Sequence, residues 1–214
     1  NGTMYPSYTA ASFARIYELM DQHQVNLQGV VSWSFEFEDQ EWFAGFRDLA
    51  TNGVDKPVLN VFRVFGMMGG QRIAVSSSEG LTVDDIISKG VRESNDVHAM
   101  ASRSESSLTI LVWNYHDDNV AGPSSQVTLS IEGLTGDKVL IDHYRVDEQF
   151  SNSYEHWKSM GSPQRVSDEQ YRKLEQAGQL QLYTSPQWLR VTNGVLKMEF
   201  DLPRQGVSLI RLSW

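Results

Sequence analysis

The sequence predicts a fold in two parts. Residues 1–70 read as α/β, the C-terminal part of a (β/α)8 barrel of the TIM type, and residues 71–214 as an all-β sandwich accessory domain with short helical insertions. Three observations carry this. The order before Gly69-Gly70 is helix, strand, helix, with an unbroken apolar strand, which is the rhythm of a parallel sheet covered on both faces. After Gly70 the chain alternates apolar and polar residues in short runs separated by turn residues. The single apolar strand cannot be buried by two helices alone, so it needs parallel neighbours, and no run after it qualifies.

In chain order, Phe13, Ile16, Tyr17 and Met20 recur at helical spacing and predict a helix over 7–23 with those residues on its buried face. Residues 27–35 (LQGVVSWSF) predict a short buried strand. Its neighbours either precede Asn1 or the run is not a strand; the first reading makes the opening helix the seventh of a barrel and this strand the eighth. Pro57 opens a second helix, striped by Val58, Val61, Phe62 and Phe65 and stopped by Gly69-Gly70. Strands are expected at 72–76, 97–102, 107–115, 126–131, 138–146, 179–183, 188–192, 195–202 and 207–214. Asn193-Gly194 is the strongest hairpin-turn signal among them. Short helices follow Thr82 and Ser167, the latter with Gln170 completing a capping box and Gly178 ending it. A further helical insertion follows Ser151-Asn152-Ser153.

Composition narrows the function classes. The 214 residues carry 18 Lys+Arg and 27 Asp+Glu, a net charge of −9, and no basic cluster offsets it, so nucleic acid is not an expected partner. Cysteine is absent, which removes disulfides, a thiolate nucleophile and a cysteine zinc site. No apolar run is long enough for a membrane span, and no signal peptide is visible. The chain does not start with Met, so a piece of a longer protein or a processed form is expected. There is no phosphate loop, no dinucleotide fingerprint and no Gly-x-Ser-x-Gly elbow, so no cofactor is expected.

The densest chemistry is Trp33-Ser34-Phe35-Glu36-Phe37-Glu38-Asp39-Gln40-Glu41-Trp42-Phe43. It starts at the C-terminal end of the expected parallel strand, the end that faces the active site of a barrel. Carboxylates accept bonds from sugar hydroxyls, and aromatic rings pack on the apolar face of a pyranose. Run by itself, the pattern fits a surface loop as well as a ligand contact. Neighbours on one strand do not straddle a bond in the way the paired carboxylates of a glycosidase do, about 5–9 Å apart, so no catalytic pair is assigned here.

The block VSWSFEFEDQEWFAGFRDLATNGVDKPVLNVFRVFGMMGGQR resembles the C-terminal barrel segment of glycoside hydrolase family 39, the retaining β-xylosidases. The stretches LVWNYHDDNVAGP, DHYRVDEQFSNSYEHWKSMGSP and LPRQGVSLIRLSW resemble that family's accessory β-sandwich. The resemblance implies release of xylose from xylosides or xylo-oligosaccharides by a double displacement with two glutamates. One follows the fourth barrel strand and one lies on the seventh. On this alignment both fall upstream of Asn1, and the chain contains no Asn-Glu-Pro motif. The implied partners are the sugar substrate and the remainder of the barrel. Trp33 matches the aromatic that floors the −1 sugar subsite. The family's sugar-bonding acidic pair falls on Glu38 and Asp39 if two residues are deleted, or on Glu41 without a gap; Glu36 and Phe43 are further candidates.

Other polar motifs have plainer readings. His116-Asp117-Asp118 beside Asn119 and Gly122 reads as a hairpin loop rather than a metal site, and His143 as structural. The competing functional reading is a non-catalytic carbohydrate-binding or scaffolding module, with Trp157 or Trp188 exposed to stack on sugar. The insertion bearing His156 and Trp157 has a second reading, in which it folds back toward the barrel mouth.

Overall fold

A computed structural model describes residues 1–30, 40–45 and 48–214. Helix α1 spans Met4–His23. A small hairpin follows, β1 (Ala50–Thr51) and β2 (Val54–Asp55), turned by Asn52-Gly53 at φ 47° and 80°. Positive φ at both turn residues is the two-residue geometry that Asn-Gly favours. Helix α2 spans Pro57–Met67, with Pro57 where its missing N–H is not needed.

The rest is mostly strand: β3 (Gln71–Ile73), β4 (Asp96–Arg103), β5 (Ser107–Tyr115), β6 (Ser125–Ile131), β7 (Lys138–Val146), β8 (Gln181–Arg190), β9 (Leu196–Leu202) and β10 (Val207–Ser213). Three helices interrupt: α3 (Val83–Lys89), α4 (Ser153–Ser159) and α5 (Asp168–Gly178). One sheet has the order β3-β4-β5-β10-β7-β8 and a second pairs β6 with β9; among the described residues every pairing is antiparallel.

The centre of the large sheet, at β5 and β10, is buried on both faces. One face shares a core with the small sheet: Ile110, Val112, Ile141, Ile210 and Leu212 meet Val127, Ile131, Leu196, Phe200 and Leu202. The other face, through Leu111, Trp113, Val207 and Leu209, takes Ala10, Ala11 and Ala14 of α1 and Val61 and Val64 of α2. This explains why β5 reads as a nearly continuous apolar run: it sits between two layers, and its buried polar members, Thr109 and Asn114, are hydrogen-bonded to Ser102 and to the Leu202 carbonyl.

A buried polar network pins α1 to this face. Asp96 on β4 accepts from Arg15 Nη2 (2.7 Å), from Trp113 Nε1 (2.9 Å) and from the Leu81 backbone N–H (2.9 Å). The Arg15 guanidinium also lies 5.8 Å from the Trp113 ring centre.

Four expectations are corrected. Residues 27–30 form no strand, and Leu27 and Val30 are 40% and 44% exposed, so the described part of the expected buried strand is neither strand nor buried. A parallel strand needs parallel neighbours, and all pairings among the described residues are antiparallel. Second, α1 buries its small residues, not Phe13, Ile16, Tyr17 and Met20. Alanines let the helix approach the sheet closely, while Phe13 packs sideways on Phe62 and Phe65 with ring centres 5.8 and 5.5 Å away. Third, 179–183 and 188–192 are not two strands but parts of the single strand β8. Its register shifts opposite Ile141 and His143, and it carries Pro186 at the sheet edge, where a missing N–H costs no ladder bond. Fourth, the strand expected at 72–76 is the shorter, exposed β3.

Candidate functional site

The acid–aromatic run enters the structure at 40–45; Trp33, Glu36, Glu38 and Asp39 lie outside the described residues. The visible end is held in a strained and crowded setting. Phe43 has φ 57°, in the left-handed region that bulky residues avoid. Its backbone is tied on both sides: the N–H donates to Thr51 Oγ1 (3.0 Å), and the carbonyl accepts from Asn1 Nδ2 (2.5 Å). Its ring is 4% exposed, 5.3 Å from Tyr154 and 5.0 Å from Trp157. The Trp42 N–H donates to Gln164 Oε1 (2.9 Å), and its ring meets Tyr171 edge-on at 6.2 Å. A turn closes from Ala44 N–H to the Glu41 carbonyl (3.1 Å). At Gly45 a Cβ would fall 1.4 Å from Asp48 Oδ2, so a side chain there would displace the Asp48 carboxylate. Asp48 and Lys56 face each other at 3.8 Å, both buried.

The rings that hold this segment come from the insertion between β7 and β8. Asn152 caps α4 by accepting from the Glu155 N–H, and the Ser167–Gln170 box caps α5. Tyr154 and Trp157 are three apart, so one helix turn presents both rings on one side. Trp157 Nε1 donates to the Pro163 carbonyl (2.9 Å), which satisfies its polar edge inside the cluster. The insertion is in turn locked to α2 and the small hairpin: Asn60 Nδ2 donates to Ser151 O (3.2 Å) and Gly178 O (2.7 Å), and Ser153 Oγ to Asp55 O (2.5 Å).

Of the sequence candidates, Glu41 is exposed, with its carboxylate open to solvent. Phe43 is enclosed by other aromatics. Trp157, expected as an exposed stacking residue, is corrected: it is 8% exposed because Phe43 and Tyr154 cover it. Trp188 is exposed. His116 makes a closed loop: Nδ1 accepts from the Asp118 N–H (3.0 Å) and Nε2 lies 3.0 Å from the Arg92 carbonyl, a pattern of one acceptor and one donor that leaves no nitrogen for a metal. Among the described residues no group of three or more His, Asp or Glu is placed to hold a metal ion, and no helix is long and apolar enough to cross a membrane. Sequence reasoning missed Tyr154 and Tyr171 as partners of the run. The signal available was aromatic density at Tyr154-x-x-Trp157, but which ring meets which is a long-range matter.

Comparison with known proteins places this geometry. The profile of Glycosyl hydrolases family 39 matches residues 2–189. The chain belongs to glycoside hydrolase family 39. A β-xylosidase of Geobacillus stearothermophilus is 23% identical over 211 residues, 95% of this chain and 37% of that protein. The mouse α-L-iduronidase is 35% identical over 124 residues, 56% of this chain and 19% of that protein. Among solved structures, the family 39 enzyme of Xanthomonas axonopodis pv. citri superposes with a TM-score of 0.74 at 17% identity, and a monomeric β-xylosidase of Caulobacter crescentus CB15 with 0.70 at 18%; each covers 99% of this chain and 42% of the other. This family 39 chain thus spans well under half the length of these relatives, and it shares their fold over nearly its whole extent.

Proposed function

We propose that this chain is the C-terminal wall of a retaining glycosidase that releases xylose from xylosides or xylo-oligosaccharides. Residues 1–70 close the catalytic (β/α)8 barrel, and 71–214 form its accessory sandwich. The acid/base and nucleophile glutamates belong to the part of the relatives' length that this chain does not span, so none is assigned here. The reaction is a double displacement: one carboxylate attacks the anomeric carbon and the leaving oxygen takes a proton from the other, which then activates water against the glycosyl–enzyme bond. The role of this chain is to present sugar contacts from the acid–aromatic run: Trp33 as the floor of the −1 subsite, with Glu36, Glu38, Asp39 or Glu41 accepting from hydroxyls. Phe43, enclosed as it is, acts by position, anchoring the run's C-terminal end.

The observation that carries this reading is the family match, which runs unbroken from α1 through the acid–aromatic run and into the sheets. The test is turnover of an aryl β-xyloside. The 214-residue chain alone is expected to be inactive. Joined to the rest of its barrel it is expected to hydrolyse with retention at the anomeric carbon, and Trp33→Ala in that context to lower kcat/KM by about a hundredfold, an aromatic contact's loss together with a mispositioned ring. Turnover by the pure 214-residue chain would defeat the assignment of the catalytic pair, and an unchanged Trp33→Ala the assignment of the subsite.

A further inference from the structure

The helical layer covers only part of the large sheet. Helices α1 and α2 lie over Leu111, Trp113, Val207 and Leu209 and leave out the far ends of β7 and β8. On that open face the register sets Leu140 between Ser213 and Trp188, Asp142 beside Arg211, and Lys138 beside Arg190. Trp188 is 57% exposed. Lys138, Arg190 and Arg211 are exposed as well, and Asp142 is half-buried.

Three features at this place point to a ligand. Lys138 Nζ lies 4.8 Å from the Trp188 ring centre, which orients the indole while more than half of the residue stays exposed. The indole N–H donates to no described group, and none of Lys138, Arg190, Arg211 or Asp142 forms an ion pair among the described residues. Three cations against one carboxylate also reverse, locally, the sign of a chain whose net charge is −9. With strands roughly 4.8 Å apart and residues roughly 3.4 Å apart, Arg190 lies roughly 7 Å from Trp188 along the strand, and Arg211 roughly 12 Å away across it. An aromatic platform with unpaired guanidinium groups at the reach of the next sugar units matches a saccharide with carboxylates, since guanidinium binds a carboxylate bidentately.

We propose that the outer face of the large sheet around Trp188 binds an acidic pyranose oligosaccharide, with the ring of one sugar stacked on Trp188 and a uronate carboxylate held by Arg190 or Arg211. The proposed binding does not depend on turnover.

The experiment is calorimetric titration of the protein with a xylo-oligosaccharide bearing a glucuronic acid branch, with the unbranched oligosaccharide of equal length, and with an oligothymidylate. The acidic saccharide is expected to bind best, and more weakly as salt rises. Trp188→Ala is expected to weaken it about tenfold, the scale of one good aromatic contact, with thermal unfolding unchanged because the ring is exposed. Arg190→Ala with Arg211→Ala is expected to erase the preference for the branched sugar. Trp33→Ala is expected to leave this binding intact. Equal affinity for Trp188→Ala and the parent, equal affinity for branched and unbranched sugars, or tighter binding of the oligothymidylate each overturns the proposal. Loss of binding in Trp33→Ala but not in Trp188→Ala overturns it while leaving the glycosidase reading in place.

Discussion

His143 sits in the core between the sheets, its Nε2 3.0 Å from Ser208 Oγ and its ring against Tyr183 and Phe200. Burial, and then the neighbouring Arg145, push its pKa down to about 3. The folded protein therefore keeps this imidazole neutral through the range where the unfolded chain, with an ordinary value of about 6.5, takes up a proton. The unfolded state then binds more protons, so stability is full above about pH 6.5, falls as pH drops below it, and stops falling through this group near pH 3. Measured between pH 6.5 and 5, above the range of ordinary carboxylates, the melting temperature is expected to slope with pH. His143→Leu is expected to be less stable at pH 7, because Ser208 loses its partner, and to show a flatter slope. An unaltered slope would remove the buried imidazole from the account. Arg145 beside it is buried too, bonding Asp147 Oδ2 (3.3 Å) and the Asp201 carbonyl (2.9 Å) with its guanidinium 4.1 Å from the Tyr183 ring centre.

At the scale of elements, two attachments decide where the site segment and the helices sit. The first is the aromatic cluster of Phe43, Tyr154 and Trp157, which fastens the end of the acid–aromatic run to α4. Trp157→Ala is expected to cost about 3–5 kcal/mol in stability, the range for deleting a buried indole. Combined with Phe43→Ala in a double-mutant cycle, the two are expected to be non-additive by about 0.5–3 kcal/mol, as residues in contact are. Strict additivity in denaturant unfolding would show that the two rings do not support each other. The second attachment is Asp96. Removing its carboxylate leaves the Trp113 and Leu81 N–H groups without their acceptor and Arg15 with Glu18 as its remaining carboxylate partner, so Asp96→Ala is expected to cost about 1–3 kcal/mol for each orphaned N–H and to raise hydrogen exchange first in α1. Exchange that rises uniformly would mean α1 is held chiefly by its alanines.

Across the whole molecule, local signals and tertiary outcome part company in an orderly way. Strands β5 and β7 lie at the residues their patterns indicate, and the Ser167–Gln170 box and Pro57 start their helices where expected, because caps, turns and alternation act over four or five residues. The family, too, was legible in the block beginning at Val31, since a run of specific residue types identifies kinship without any knowledge of packing. The same local logic overlooked Asn52-Gly53, a turn signal as good as Asn193-Gly194, because its strands have only two residues each. It also split β8 at Pro186, because an edge position, where proline is harmless, cannot be recognised before the sheet is assembled. The buried face of α1 is the clearest case. Its large apolar residues form the better stripe, yet the alanines face the sheet, since the choice depends on how near the helix must come to Leu111 and Trp113. Phe43 and Trp157 belong to the same class: one from the run before the hairpin, one from an insertion after β7, each buried in a cluster that the other helps to form. Periodicity, capping and kinship are properties of neighbouring residues and could be read from the chain. Which face is covered, which aromatic is spent on packing and which, like Trp188, is left open are set by contacts between residues far apart in sequence, and these exist only once the layers have closed on one another.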